Sequence, residues 1–225
     1  GTIRSQKKMQ DLKPEIDKLK QKHKGDNKAF TAAQMELYKK YNINPDKIGV
    51  WGSSAGGHLV SLLGTSGDVA ELEGENGTPG VSSRVTCVVD FCGPSDFLVF
   101  GKSNPRLNDP VSPVFKLLGG PLAEKQDAAK QASPVTYVTK DDPPFLIMHG
   151  TADTTVHISQ AERLNTKCKE AGVNVTFVKI EEGRHGFGGE VVDARVKVFL
   201  EKHLLGKDVT ISEEPIKVRT AADKK

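Results

Sequence analysis

Apolar residues follow two rhythms along this chain, and the change between them comes near residue 45. In the first stretch Met9, Leu12, Ile16 and Leu19 recur at spacings of three and four among helix formers, which puts their side chains on one helical face. Gly25-Asp26-Asn27 interrupts the stripe, and Phe30, Ala33, Leu37 and Tyr41 resume it. The pattern predicts a helical hairpin over residues 1–43. Pro14 stands inside its first helix, where a missing N–H and a clash one turn back are expected to kink or shorten it.

Beyond Pro45 short apolar runs alternate with helical ones. Strands are predicted at 48–51, 85–91, 145–149 and 175–180, and helices at 55–63, 158–171 and 191–204, the second of these stopped by Gly172. Residues 64–83 read as a glycine-rich acidic loop, and 97–142 as a long irregular excursion with Pro-linked turns and short helices. Alternation of strand and helix calls for a parallel sheet flanked by helices, an α/β fold. Residues 44–205 form this second part, and 206–225 are read as a polar tail with no core pattern beyond Val209, Ile211 and Ile216.

Charge divides the chain at the same place. Residues 1–40 hold eleven Lys/Arg against five Asp/Glu, a net of +6, while the whole chain carries +3, so the remainder carries −3. A basic helical hairpin is either a surface for anionic lipid or a partner protein, or simply a solvated arm. At 225 residues and 36% hydrophobic content the chain has enough apolar material for one core plus an appendage. No run approaches the roughly 20 apolar residues that a membrane span needs, and no secretory signal opens the sequence, so no membrane span and a cytoplasmic location are expected. Cys87, Cys92 and Cys168 are odd in number and lack metal-ligand spacing, which makes them buried free thiols. The six histidines do not pair at ligand spacing either, so no metal, no cofactor and no nucleic-acid partner is expected.

Candidate chemistry begins at Gly52-Ser53-Ser54-Ala55-Gly56, a G-x-S-x-G pattern placed between the apolar run 48–51 and a helical one. Either this is a plain strand-to-helix turn or it is a nucleophile elbow. In an elbow the serine sits on a strained turn, and the residues two positions either side must be small for the backbone to fold past itself. Ser54 would face the positive end of the following helix, and the Ala55 amide would donate to a developing oxyanion. A serine nucleophile needs a base, and the base an acid to orient it. Asp153 follows the third strand and His185, flanked by Gly183 and Gly186, follows the fourth. Alone, Asp153 reads equally as a residue near a helix N-cap and His185 as a surface-loop histidine. Together with Ser54 they stand at the carboxyl ends of successive strands in the order Ser, Asp, His, where open α/β sheets place their ligand-facing loops.

The motifs G-S-S-A-G-G-H-L, V-V-D-F-C-G-P-S-D-F, A-S-P-V-T-Y-V, D-D-P-P-F-L-I-M-H-G-T-A-D and G-R-H-G-F resemble the C-terminal portion of bacterial α/β-hydrolase carboxylesterases, related to acetylxylan, feruloyl and hormone-sensitive-lipase-like esterases. The resemblance runs from Asn44 to about Leu205. It implies a partial α/β-hydrolase fold of about four parallel strands, acting on small-molecule esters with Ser54 as nucleophile, Asp153 as acid, His185 as base and Ala55 as oxyanion donor. At Val156-His157 the family commonly has Val-Pro. Residues Arg4 to Pro45, with R-S-Q-K-K-M-Q-D-L-K-P-E-I-D-K-L-K-Q-K-H-K-G-D and A-A-Q-M-E-L-Y-K-K-Y-N-I-N-P, resemble the cytoplasmic helical hairpin of YidC-type membrane insertases. The two likenesses overlap at about Tyr38 to Pro45, the pattern of a chimera.

One departure matters for chemistry. Members of the esterase class carry an H-G-G-type loop and further strands before the elbow, and that loop supplies the other oxyanion donors. No such loop stands among these residues, so the resemblance implies an impaired esterase with an exposed sheet edge at the 48–51 strand. Such an edge invites cover by the hairpin or pairing between two chains. The alternative is a catalytically silent fusion that serves only for association.

Overall fold

The computed structural model describes residues 2–41, 44, 46–74 and 82–217, with side chains from residue 12 onward except at 102 and 103. Parts of four expectations therefore lie outside the described residues: Met9 in the apolar stripe, the overlap at residues 42, 43 and 45, the loop at 75–81 and the tail at 218–225. The chain divides into two compact units, Gly1–Ile48 and Gly49–Lys225.

The first unit is a pair of helices, α1 (Thr2–Lys22) and α2 (Asn27–Lys40), packed on each other. The Asp26 carboxylate accepts from the Ala29 amide at 2.9 Å and caps α2. Leu12 and Leu37 are buried and Ile16, Leu19, Phe30 and Ala33 half-buried, as the stripe requires, and the Tyr41 hydroxyl donates to Glu15 across the hairpin at 2.6 Å. Pro14 does not shorten α1, which runs through it. Eight helical residues follow the proline, about two turns, so the helix forgoes one backbone bond and still propagates on both sides.

The second unit is a five-stranded parallel sheet, and each strand pairs with its neighbours in sequence. The elements run β1 (Gly49–Ser53), α3 (Ala55–Thr65), α4 (Ala70–Glu73), β2 (Cys87–Phe91), α5 (Phe97–Ser103), α6 (Pro113–Leu118), α7 (Gln126–Gln131), β3 (Phe145–Gly150), α8 (Ser159–Ala171), β4 (Val175–Glu181), α9 (Glu190–Leu205) and β5 (Ile216–Lys217), in the strand order β1-β2-β3-β4-β5. Each of the four expected strands begins and ends within two residues of its predicted place. The fifth is not expected, because 206–225 read as a polar tail: Ile216, one of its apolar exceptions, is buried and pairs with Ile180. A single apolar residue in a two-residue strand has no period to detect.

Strand alternation sorts the core into two layers. Cys87, Val89 and Phe91 of β2, Leu146 and Met148 of β3 and Val178 and Ile180 of β4 pack with Val192, Val196 and Phe199 of α9. Val88, Phe145, Ile147 and Val175 pack with Ala161, Leu164 and Cys168 of α8. Strands β2 and β3 are buried at every position, as a sheet covered on both faces demands, whereas the edge strand β1 alternates exposed and half-buried residues. The excursion between β2 and β3 builds a small core of its own from Phe97, Phe100, Leu118, Ala129 and Val156. All three cysteines are free and buried.

At the carboxyl end of the sheet the ladder continues one residue past β1, β2 and β3. The Ser54 amide donates to Phe91 O at 2.7 Å, Cys92 to Met148 O at 3.0 Å and Thr151 to Ile180 O at 2.9 Å. The loops that leave β1, β2 and β3 are thereby tied together at one end of the sheet.

Candidate active site

Ser54 occupies the turn between β1 and α3 with φ 56° and ψ −119°, a region that costs a non-glycine residue about 1–3 kcal/mol. Although it is the N-cap residue of α3, its side chain makes no capping bond, so Oγ is free to point elsewhere. Crowding explains the turn. A Cβ on Gly52 would lie 2.1 Å from Gly56 O, and one on Gly57 would lie 2.3 Å from Asp90 Oδ1. The two glycines of the G-x-S-x-G pattern are not equivalent, however. A Cβ on Gly56 meets nothing within 4 Å, which corrects the expectation that both flanking positions must be small. The close approach behind the helix falls on Gly57.

The expected trio comes together. Ser54 Oγ lies 2.7 Å from His185 Nε2, and His185 Nδ1 lies 2.8 Å from Asp153 Oδ2. Since a carboxylate only accepts, Nδ1 carries the proton, which leaves Nε2 to accept from the serine hydroxyl. The Asp153 side chain is fully buried and that of His185 is 28% exposed. Asp153 Oδ1 accepts from the amides of Thr155 at 2.8 Å and Val156 at 3.0 Å. Gly150 and Gly183 let the two loops meet, for a Cβ on Gly150 would lie 2.2 Å from Gly183 O. Ala55, the expected oxyanion donor, is the exposed first residue of α3, so its amide stands at the positive helix end beside Ser54.

Several residues around the trio carried no sequence signal of their part. His149, buried near the end of β3, places Nε2 3.2 Å from Asp153 Oδ2 and 2.7 Å from Val156 O. Burial holds its pKa below the usual histidine value. Cys92, with φ 45°, directs Sγ to His185 O at 3.3 Å, and burial pushes its thiol up to about 11. The Cys92, Asp153 and His185 ligand atoms lie within 4.8 Å of one another, a juxtaposition that residue spacing does not reveal, although two of the three are already bonded to each other. Asp90, buried beneath the elbow, accepts from Ser61 Oγ at 3.0 Å and from the Gly93 amide at 2.9 Å, and burial raises it from 3.8 to about 6. His58 lies away from the trio: its ring meets Phe97 edge-on and its Nε2 bonds Ala132 O at 2.7 Å. At the Val156-His157 departure, His157 Nδ1 accepts from the Ser159 amide at 3.2 Å and steadies the start of α8.

Known proteins resemble the two units separately. The chain is 29% identical over 173 residues to the probable carboxylic ester hydrolase LipM of Mycobacterium tuberculosis, a match that covers 73% of this chain and 38% of LipM. The structure of a truncated carbohydrate esterase from gut microbiota superposes with a TM-score of 0.64 at 30% identity, over 76% of this chain and 64% of that one. At the other end, 44 residues are 43% identical to the membrane protein insertase YidC of Clostridium tetani, covering 20% of each chain. Residues 1–52 match the 60Kd inner membrane protein family, overlapping the esterase match from residue 34 on. Among the described residues no helix is long and apolar enough to cross a membrane. The BD-FAE match spans residues 34–168, more than half of the length, and includes the elbow and Asp153, so this chain belongs to the BD-FAE family.

Proposed function

We propose that this chain is a serine carboxylic-ester hydrolase acting on small acyl esters, with Ser54 as nucleophile, His185 as base and Asp153 as acid. The observation that carries the reading is the pair of bonds from Ser54 Oγ to His185 Nε2 and from His185 Nδ1 to Asp153 Oδ2. Ser54 Oγ attacks the ester carbonyl carbon while its proton passes to His185 Nε2, and the resulting oxyanion faces the Ala55 amide. Collapse breaks the bond to the alcohol, which leaves with the proton from His185. Water then attacks the acyl-serine, giving its proton to His185, and the acid departs as Ser54 regains its hydroxyl. Asp153 stays ionised throughout and steadies the imidazolium.

The chain spans about a third of the length of the curated relatives it matches, and no H-G-G-type loop stands among residues 1–51. One missing oxyanion donor lowers turnover by about 10²–10³, so slow catalysis is expected. Hydrolysis of p-nitrophenyl acetate and butyrate by the purified chain, beside Ser54→Ala, tests the reading. Turnover that vanishes in the variant supports it, and equal slow rates in both reject it in favour of the silent association module. A second copy is the expected partner at the sheet edge. Strand β1 pairs only with β2 among the described residues, and Trp51, Leu59 and Leu63 are exposed beside it. Light scattering should give a dimer that Trp51→Lys dissociates, and a monodisperse monomer would refute this.

A further inference from the structure

His149 is a buried histidine directly before Gly150, and its ring is aimed at the acid. Its Nε2 faces two acceptors, Asp153 Oδ2 at 3.2 Å and Val156 O at 2.7 Å, and both side chains are fully buried. An unprotonated Nε2 would turn a lone pair on both, so the proton must lie there. The other nitrogen, Nδ1, is buried with no hydrogen-bond partner among the described residues. A buried ring that leaves one nitrogen unsatisfied while spending the other on the acid is unlike a histidine kept for packing alone. A donor then faces every acceptor site on the acid: two loop amides hydrogen-bond Oδ1, His185 Nδ1 hydrogen-bonds Oδ2, and His149 Nε2 stands 3.2 Å from that same oxygen.

From this geometry we infer that His149 is a positioning residue which, as the neutral Nε2–H tautomer, fixes the Asp153 carboxylate and shares its Oδ2 with His185. The shared bond has two consequences. It pins the loop from Gly150 to Val156, because one N–H reaches both its middle and its end, and it draws electron density from the oxygen that His185 uses. Loss of that donor leaves Oδ2 to His185 alone, which strengthens the His185 Nδ1–H bond and favours the imidazolium. The titratable groups around His185 are Asp153 and His149 from the β3 end, Cys92 from the β2 end and Ser54 from the β1 end. The role rests on Asp153 being the acid of the proposed triad.

The test is nuclear magnetic resonance of ¹⁵N-histidine-labelled protein, which reads hydrogen bonds whether or not the chain turns over. In the unmodified protein the His149 signals should report a proton on Nε2 and none on Nδ1; a proton on Nδ1, or an imidazolium at neutral pH, overturns the inference without any variant. His149→Leu removes the donor, whereas His149→Gln places an amide N–H at the position of Nε2. The His185 Nδ1–H resonance should move downfield in the leucine variant and its protonation midpoint should rise, while the glutamine variant keeps both near the starting values. No shift in His149→Leu, or equal shifts in the two variants, refutes the role. If ester turnover is also measurable, the acidic limb of the kcat/KM profile should rise in pH for His149→Leu only. Correct resonances in a protein without turnover would reject the esterase reading and leave the hydrogen-bond role standing.

Discussion

The two ends of the proposed relay are held by different physics. On the nucleophile side Ser54 is half-buried and keeps its strained backbone because neighbouring main chains leave no other room: Gly52 lies against Gly56 O, and Gly57 against Asp90. On the acid side Asp153 is fully buried, hydrogen bonds from two amides and from His185 fix its orientation, and His149 Nε2 stands 3.2 Å from the same oxygen that His185 uses. Steric constraint places the proposed nucleophile, and polar satisfaction places the proposed acid. A change of shape should therefore damage the first end, and a change of donors or charge the second.

The sharpest way to break the contrast is Gly52→Ala. The added carbon cannot share space with a backbone carbonyl 2.1 Å away, so turnover should fall as far as in Ser54→Ala, with a lowered melting temperature showing that the cause is the turn. Next comes Asp153→Asn, almost unchanged in shape, which should lower kcat by about 10⁴ through the wrong imidazole tautomer while circular dichroism stays native. A smaller effect belongs to Asp90. Its folded pKa of about 6 stands above its ordinary 3.8, so the unfolded state releases the proton first and stability falls as pH rises from about 4 to 6. Denaturant titrations should show a loss of about 3 kcal/mol across that window, and Asp90→Asn, which has no charge to bury, should flatten it. The smallest effect is Gly56→Ala. With nothing within 4 Å of the new carbon, stability and turnover should match the parent or gain up to about 1 kcal/mol from the better helix former. A large loss there would show that the G-x-S-x-G pattern is a steric rule at both glycines after all.

These contrasts also explain what the residues disclosed in advance. That Ser54, Asp153 and His185 meet was legible because each follows a strand with a strong apolar run, and the order of such runs survives translation into a parallel sheet. The strands β2 and β3 were legible for the same reason, being apolar at nearly every position. What stayed hidden depends on distance rather than order. His149 sits inside a strand four residues before Asp153, and only the turn at 150–153 brings its ring back onto the carboxylate. The difference between Gly56 and Gly57 appears only when a side chain is placed on each, since both follow the serine closely and both are glycine. Strand β5 joins the sheet through Ile216 after ten residues with no helix or strand, and a single isoleucine announces no period.

The plain succession β1-β2-β3-β4-β5 has a consequence in time. A sheet whose every strand pairs with the next one made can be laid down in the order of synthesis, and no early strand has to wait for a distant partner. The proposed relay is not assembled that way, because Ser54 and His185 are 131 residues apart. At roughly 5–20 residues per second, the serine leaves the ribosome on the order of 10 s before its base. Through that interval the growing chain has the turn that holds Ser54 but not the histidine that meets it, so the proposed relay exists only once the fourth strand docks.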